Sequence, residues 1–424
     1  LPRGPPGRAG CRCFRRPRTD KALSSQLPPT AHRAGDRRVD DSKDRARVLA
    51  HARRWFPELV PAGASSLDAV PFLDKELARS WYGRHVDGAR FFSSTGTSGY
   101  PKRVPWTGDE DVWYVTEKQS LLEGWIGDCR RGFISLATGH NAESAGIVLG
   151  NLGLEVHDAG LTSLEEQAAA LIELGPDLLY CSPSILARLI EALDAASRTL
   201  RSVRRIITNG EVLFPSARRR AAAFFDIGDA DIMDTYGSTE IGTIAYSCPE
   251  CGKYHFLDGI YPESAAAEVS DLGDLGGDPR RVLLSVSSVK RTSFPIVRFV
   301  TYDIVDRLRR EWCSGEARFT FDRILGRCDD VLNYGELFPA YELADLIAAR
   351  LPGARWMVFN SDNHVTVVIE GMEPAGFRVD MERRFPLHSR MTRLGLLDPP
   401  TIRFVRDFDY LIAKSGVAFG HSAK

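Results

Sequence analysis

Between Asn141 and Phe224 the chain alternates helix and strand so regularly that few folds remain open to it. Asn141 to Leu152 reads as a helix and Gly153 to His157 as a short strand. Ser163 to Leu174 is the next helix, and Ser163 and Glu166 stand at capping-box spacing, where each side chain satisfies a backbone N–H at the other residue. A strand at Asp177 to Tyr180, a helix at Pro183 to Ala195, a strand at Arg205 to Thr208 and a helix at Phe214 to Phe224 complete the run. Short strands joined through helices pair in parallel, since the crossover returns the chain to the same end of the sheet. The expected class is α/β, with a parallel sheet covered by helices on both faces.

The flanking segments set the boundaries. Val48, Leu49, Ala52 and Trp55-Phe56 fall on one face of an early helix, and Asp74 is placed to cap a second. From about Thr243 to Asp322 the pattern is strand-rich, as in Arg281 to Ser288. Beyond Cys328 come a helix at Ala340–Arg350, strands at Trp356–Asn360 and Val365–Ile369, and a helix at Gly376–Arg384. We therefore divide the chain into an Arg/Pro-rich tail at 1–45, expected to be disordered, a core at 46–327 and an α+β unit at 328–424. Charge is balanced at −1, which gives no electrostatic reason to expect nucleic acid or an acidic membrane as a partner. No apolar run approaches the roughly 20 residues of a membrane span. The eight cysteines are unevenly spaced, which suits reduced thiols or a metal and a cytoplasmic location better than a disulfide framework.

Two segments carry chemistry. The first is Ser93-Ser94-Thr95-Gly96-Thr97-Ser98-Gly99-Tyr100-Pro101-Lys102. Glycines let backbone N–H groups approach a ligand, hydroxyls donate further bonds, and the lysine adds charge, which together suit a polyphosphate. The second is Asp234-Thr235-Tyr236-Gly237-Ser238-Thr239-Glu240, placed after the apolar pair Ile232-Met233 and so at a strand's carboxyl end, where open α/β sheets bind ligands. A carboxylate and a hydroxyl there could complete the oxygen shell of a phosphate-bound Mg²⁺.

Both segments resemble signatures of the acyl-adenylate-forming superfamily, a Ser/Thr/Gly run closing in Gly-x-Pro-Lys and a Tyr-Gly-x-Thr-Glu run. Further resemblances follow in the family's order: Asn209-Gly210-Glu211, Phe294 to Asp303, and Gly326-Arg327-Cys328-Asp329-Asp330. The resemblance implies a large core of parallel sheets flanked by helices and a small mobile C-terminal lid. It also implies that Ser93 to Gly99 and Lys102 grip ATP, Gly210 and Glu211 line the adenine pocket with Asp234 and Thr235 nearby, and Tyr236 lies beside the adenine. Thr239 would contact the α-phosphate, Glu240 would hold Mg²⁺, Asp303 would take the ribose, Arg327 the ribose or phosphate, and Asp329 would be the hinge. Val300 and Tyr302 stand where the family usually has Arg and Gly.

Within the superfamily the chain resembles the phenylacetate–CoA ligase-like branch. Cys248, Cys251 and His255 form C-x₂-C-x₃-H, a spacing that suits structural tetrahedral Zn²⁺, and the branch implies Cys313 as a further ligand. The family's late Ser-Gly-Lys segment is altered: Lys414-Ser415-Gly416 is followed by Val417, which leaves three explanations open, Lys414 as the substitute lysine, slow adenylation with Lys102 and Mg²⁺ alone, or loss of the first half-reaction. The implied function is an ATP-dependent ligase that makes an acyl-adenylate from an aryl or arylacetic acid and passes the acyl group to CoA. The alternatives are a carrier protein or an amine as acceptor, or a nucleotide- and zinc-binding protein that has lost adenylation. Monomer and homodimer both stay open.

Overall fold

The structure, a computed structural model, describes residues 41–408 apart from 95–101, 137–138, 161, 266–278, 328–330, 335, 362–363, 386–388, 390–391, 393–398 and 407. The tail at 1–40, the loop 95–101, the hinge residue Asp329 and the Lys414–Val417 segment all lie outside the described residues.

Helix α1 (Ser42–Trp55) buries Val48, Leu49 and Ala52 as its periodicity requires. Trp55, read as part of that face, is 45% exposed, and the buried aromatic is Phe56, just past the helix end. Asp74 caps the short α2 (Lys75–Arg79), accepting from the backbone N–H groups of Glu76 and Leu77. A hairpin of β1 (Arg90–Ser94) and β2 (Lys102–Trp106) follows, with Ser94 opposite Lys102. Helix α3 (Gly108–Glu123) then starts from a Thr107–Glu110 capping box.

The alternating run forms as expected. It comprises β3 (Arg131–Ser135), α4 (His140–Asn151), β4 (Glu155–Asp158), α5 (Leu164–Leu174), β5 (Leu178–Cys181), α6 (Pro183–Ala195), β6 (Arg205–Asn209), α7 (Pro215–Phe225) and β7 (Ile232–Ser238). The five strands pair in parallel in the order β4-β3-β5-β6-β7. Strand alternation sorts their side chains into two layers. Leu179, Cys181 and Ile206 pack under α5, α6 and α7, while Leu178, Tyr180 and Ile207 pack with residues of α3 and α4. Strand β7 runs to Ser238, so Asp234 to Tyr236 are ladder residues rather than the start of a loop.

Beyond β7 the same sheet turns antiparallel through β8 (Gly242–Ser247), β9 (Tyr254–Phe256) and, later in the chain, β13 (Arg309–Cys313) and β14 (Glu316–Phe321). A second, fully antiparallel sheet is ordered β10 (Ile260–Ser264), β11 (Arg281–Ser288), β12 (Phe299–Asp306), β15 (Arg323–Arg327). The C-terminal segment has a hairpin, β16 (Val331–Tyr334) with β17 (Glu336–Pro339), then α8 (Ala340–Arg350). It ends in a mixed sheet of β18 (Trp356–Ser361), β19 (His364–Glu370) and β20 (Thr401–Val405), with α9 (Phe377–Arg384) packed on it. Ser216 of α7 donates its hydroxyl to Asp345 of α8 at 2.8 Å.

Candidate active site

The hairpin β1–β2 and the turn between β7 and β8 bring the two sequence motifs together. Lys102, first residue of β2, donates its ammonium to Glu240 Oε1 at 3.1 Å across 138 residues of chain. Tyr82 donates its hydroxyl to the same oxygen at 2.9 Å, a partner with no sequence signature. The Glu240 side chain is 7% exposed. Burial alone would raise its pKa, but Lys102, the turn backbone and Tyr82 outweigh it and hold the carboxyl below the usual range.

The turn itself is clamped from behind. Trp106 donates its indole N–H to the Thr239 carbonyl at 3.0 Å, and Arg291 donates Nε to the Glu240 carbonyl at 2.9 Å. Arg291 is fully buried, lies 3.8 Å over the Trp106 ring and forms an ion pair with buried Glu110. Glu110 also accepts from the backbone N–H groups of Thr292 and Ser293. A Cβ on Gly237 would stand 2.3 Å from the Gly242 carbonyl oxygen, and one on Gly242, at φ +89°, would stand 2.9 Å from the Tyr114 ring. The hairpin closes this tightly because both positions lack side chains.

The residues that the resemblance assigned to the ribose also meet. Asp303 of β12 lies opposite Arg327 of β15, and their charged groups are 3.8 Å apart. Tyr236 donates its hydroxyl to Asp303 Oδ2 at 2.5 Å. Tyr302, in place of the family's glycine, adopts φ +63°, the left-handed region that glycine takes at little cost. Its hydroxyl accepts from the Lys75 backbone at 3.2 Å, and its ring lies 4.0 Å from the Lys75 ammonium, contacts that hold the strained conformation.

Other implied residues fall at the strand ends. Gly210, at φ +91°, turns the chain after β6, and Glu211 accepts from Ser184 N and Oγ at 2.9 and 2.7 Å. Ser93 and Ser94 end β1, and Thr239 stands in the clamped turn. Thr235 donates to the Thr208 carbonyl and accepts from Asn209. Asp234 is 1% exposed and enclosed by Thr208, Tyr254 and the Ser247 hydroxyl that meets its backbone N–H, away from the Lys102–Glu240 pair in its hydrogen bonding. Burial pushes its pKa up to about 6 against the bonds from Thr208 and Tyr254. His140 is packed among Phe92, Trp106 and Tyr114 and bonded to Asp111 at 2.9 Å, and burial lowers its pKa to about 4.

A polar chain absent from the sequence reading crosses the strand ends. Lys118 of α3 is 3% exposed and donates to Asn141 Oδ1 at 2.8 Å, Tyr180 OH at 3.2 Å and Ser144 Oγ at 3.5 Å. Asn141 Nδ2 donates to Asn209 Oδ1 at 2.8 Å, and Asn209 Nδ2 donates to the Thr235 carbonyl at 3.0 Å. Position 118 sits on the buried stripe with Tyr114 and Leu122, so its spacing was visible and its charge is what departs from an apolar stripe.

The cysteine–histidine cluster lies at β8, β9 and β13. The ligand atoms of Cys248, Cys251, His255 and Cys313 are all within 4.8 Å of one another, with the Cys248 and Cys313 sulfurs 3.9 Å apart. Tetrahedral Zn–S bonds of about 2.3 Å would place two sulfurs roughly 3.8 Å apart, so the donor set and spacing fit a four-coordinate structural ion. Tyr254, next to His255, stacks on Phe321, which meets Tyr236 edge-on, so the cluster is joined to the Tyr236–Asp303 pair through packed rings.

Comparison with known proteins agrees with this geometry. Residues 89–268 match the family described as AMP-binding enzyme. Fumarate–(S)-2,3-diaminopropanoate ligase of Enterobacter agglomerans is 29% identical over 70% of this chain and 76% of its own length. Phenylacetate–coenzyme A ligase of Escherichia coli strain K12 is 27% identical over 57% of this chain, which spans only 56% of that protein. Among solved structures, 2-hydroxyisobutyryl-CoA ligase in the postadenylation state superposes with TM-score 0.66 and 16% identity over 95% of both chains. An amide bond synthetase from Marinactinospora thermotolerans gives 0.51 and 17% over 77% of this chain and 66% of its own. At these identities the structures speak to the fold. Among the described residues no helix is long and apolar enough to cross a membrane.

Proposed function

For this chain, a member of the acyl-adenylate-forming superfamily in its phenylacetate–CoA ligase-like branch, we propose an ATP-dependent carboxylic acid ligase that works through an acyl-adenylate. The observation that carries the reading is the Lys102–Glu240 contact, which joins two phosphate-type motifs into one charged site. ATP would bind with its phosphates at the β1–β2 loop, its Mg²⁺ on Glu240, its α-phosphate at Thr239 and its ribose at Asp303 and Arg327. The acid's carboxylate attacks the α-phosphorus and pyrophosphate leaves. Lys414 supplies the charge that Val417 cannot, and the C-terminal unit turns about Asp329 to admit the acceptor. Zn²⁺ on Cys248, Cys251, His255 and Cys313 would clip the β8–β9 turn to β13 without entering the chemistry.

The acceptor is CoA and the acid aryl or arylacetic, in line with the phenylacetate–CoA ligases among the relatives. A second reading, transfer to an amine, is favoured by the Enterobacter agglomerans ligase, which covers more of the chain. Pyrophosphate release with ATP and a panel of acids tests adenylation, and product analysis with CoA or a diamine separates the acceptors. Glu240→Gln should lower pyrophosphate release by about 10²–10³-fold. Wild-type protein that binds ATP but releases pyrophosphate with no acid would overturn the reading.

A further inference from the structure

Among the described residues three lysine or arginine side chains are buried: Arg291, Arg298 and Lys118. Arg291 is paired with Glu110 and Arg298 with Glu263. Lys118 alone has no carboxylate partner: its ammonium meets an amide oxygen and two hydroxyls, and lies 4.8 Å from the Tyr114 ring centroid. The nearest acid along its helix face, Asp111, is taken by His140 and Arg90. A buried charge is retained at a cost of several kcal/mol unless an opposite charge meets it, and among the described residues no carboxylate meets this one.

Its position says where an anion would come from. Asn141 lies between the ammonium and the carboxyl end of β6, with Oδ1 on Lys118 and Nδ2 on Asn209. Asn141 is also in the first turn of α4, whose N-cap is Gly139 and which has no side-chain cap. The N–H groups of that turn, which have no partner within the helix, add positive potential to the same spot. Ligands of open α/β sheets bind at this edge, and Gly210 and the clamped Thr239–Glu240 turn follow β6 and β7. A carboxylate arriving there meets an amide N–H backed by an ammonium in a low-dielectric wall, where charge interactions are weakly screened.

We propose that the acid activated at this site carries a second carboxylate, and that Lys118, acting through Asn141 and with the first turn of α4, selects for it. The inference rests on the ligase reading above and narrows its substrate class to dicarboxylic acids, aromatic ones included. One carboxylate is activated at the α-phosphate and the other stays anionic against the Lys118 wall.

The test is adenylation by the full chain on matched pairs of acids: butyric against succinic, and phenylacetic against 4-carboxyphenylacetic. Pyrophosphate release gives kcat/KM for each. The diacid should be preferred by at least about tenfold in one pair, the discrimination expected where a polar site loses its partner. Lys118→Met should drive that ratio toward one, and Lys118→Arg should restore much of it, with ATP-dependent thermal stabilisation confirming that each variant is folded. Equal or better turnover of both monoacids by wild type overturns the proposal and leaves the ligase reading intact. So does a preference that Lys118→Met does not change. Should the methionine variant not fold, the wild-type ratios decide alone. No pyrophosphate with any acid, despite ATP binding, removes the ligase reading and this inference with it.

Discussion

Arg291 and Lys118 are buried to nearly the same depth and are held there by opposite means. Arg291 is enclosed by charge and by backbone: Glu110 pairs with it, the Pro105 carbonyl accepts from it, and its Nε reaches the Glu240 carbonyl. Every group in that knot has a partner inside the chain, so the knot can serve as a rigid back wall for the Thr239–Glu240 turn. Among the described residues Lys118 has only neutral partners, and they sit on two separate elements, α4 and β5, with Asn209 of β6 reached through Asn141. Buried charge satisfied from within fixes a structure, whereas buried charge left electrically open leaves work for a ligand. Asp234 is the acidic counterpart of the second kind, enclosed by the hydroxyls of Thr208 and Tyr254.

Three changes would break or sharpen this contrast. The largest effect is expected from Glu110→Gln, which leaves the Arg291 guanidinium buried and unpaired. It should cost about 3–5 kcal/mol in denaturant unfolding, and adding Arg291→Met should recover much of the loss, whereas additive losses would show that the pair is not the wall we describe.

Asp234→Asn comes next and depends on pH. The folded pKa, about 6 through burial, lies above the 3.8 of the unfolded chain. Folding therefore favours the protonated acid: the penalty is absent below about pH 4, grows between pH 4 and 6, and is complete above. At about 1.4 kcal/mol per pKa unit, the asparagine variant should gain at most about 3 kcal/mol at pH 8 and nothing at pH 4, by thermal melts at both. A pH-independent difference would show that the acid ionises as freely in the fold as outside it.

The smallest effect is expected from Lys118→Met. Loss of the bonds to Asn141 and Tyr180 is offset by removal of a desolvated ammonium, so stability should change by only about 1 kcal/mol. A loss as large as that of Glu110→Gln would mean that the ammonium is structurally committed after all.

Much of the architecture was legible because it depends on local pattern. The capping box at Ser163–Glu166, the helix at Pro183–Ala195 and the strand at Arg281–Ser288 match their sequence signals. The motif residues Lys102 and Glu240 were each singled out in the sequence by the company they keep, and their contact with one another is what the structure adds. Glu110 was visible only as the fourth residue of T-x-x-E, and nothing in its neighbourhood announces Arg291, 181 residues away. Lys118 was hidden for the same reason, since periodicity says which face a residue is on and not what waits there. Trp55 and Phe56 show the limit at shorter range. Both are apolar and adjacent, and the end of the helix decides which one turns inward.

The two glycines of the β7–β8 hairpin, Gly237 opposite Thr243 and Gly242 opposite Ser238, have a consequence for anyone wishing to retune this protein. With Gly242 oxygen already occupying the space of a side chain at 237, and Tyr114 that of one at 242, neither position has a neighbouring sequence it can drift into. A library built on the turn should therefore hold both constant and spend its diversity elsewhere, because a methyl group at either would first move Tyr114 or the hairpin backbone. Specificity in such a scaffold has to be changed from the helices behind the sheet, where side chains can be exchanged without moving the main chain.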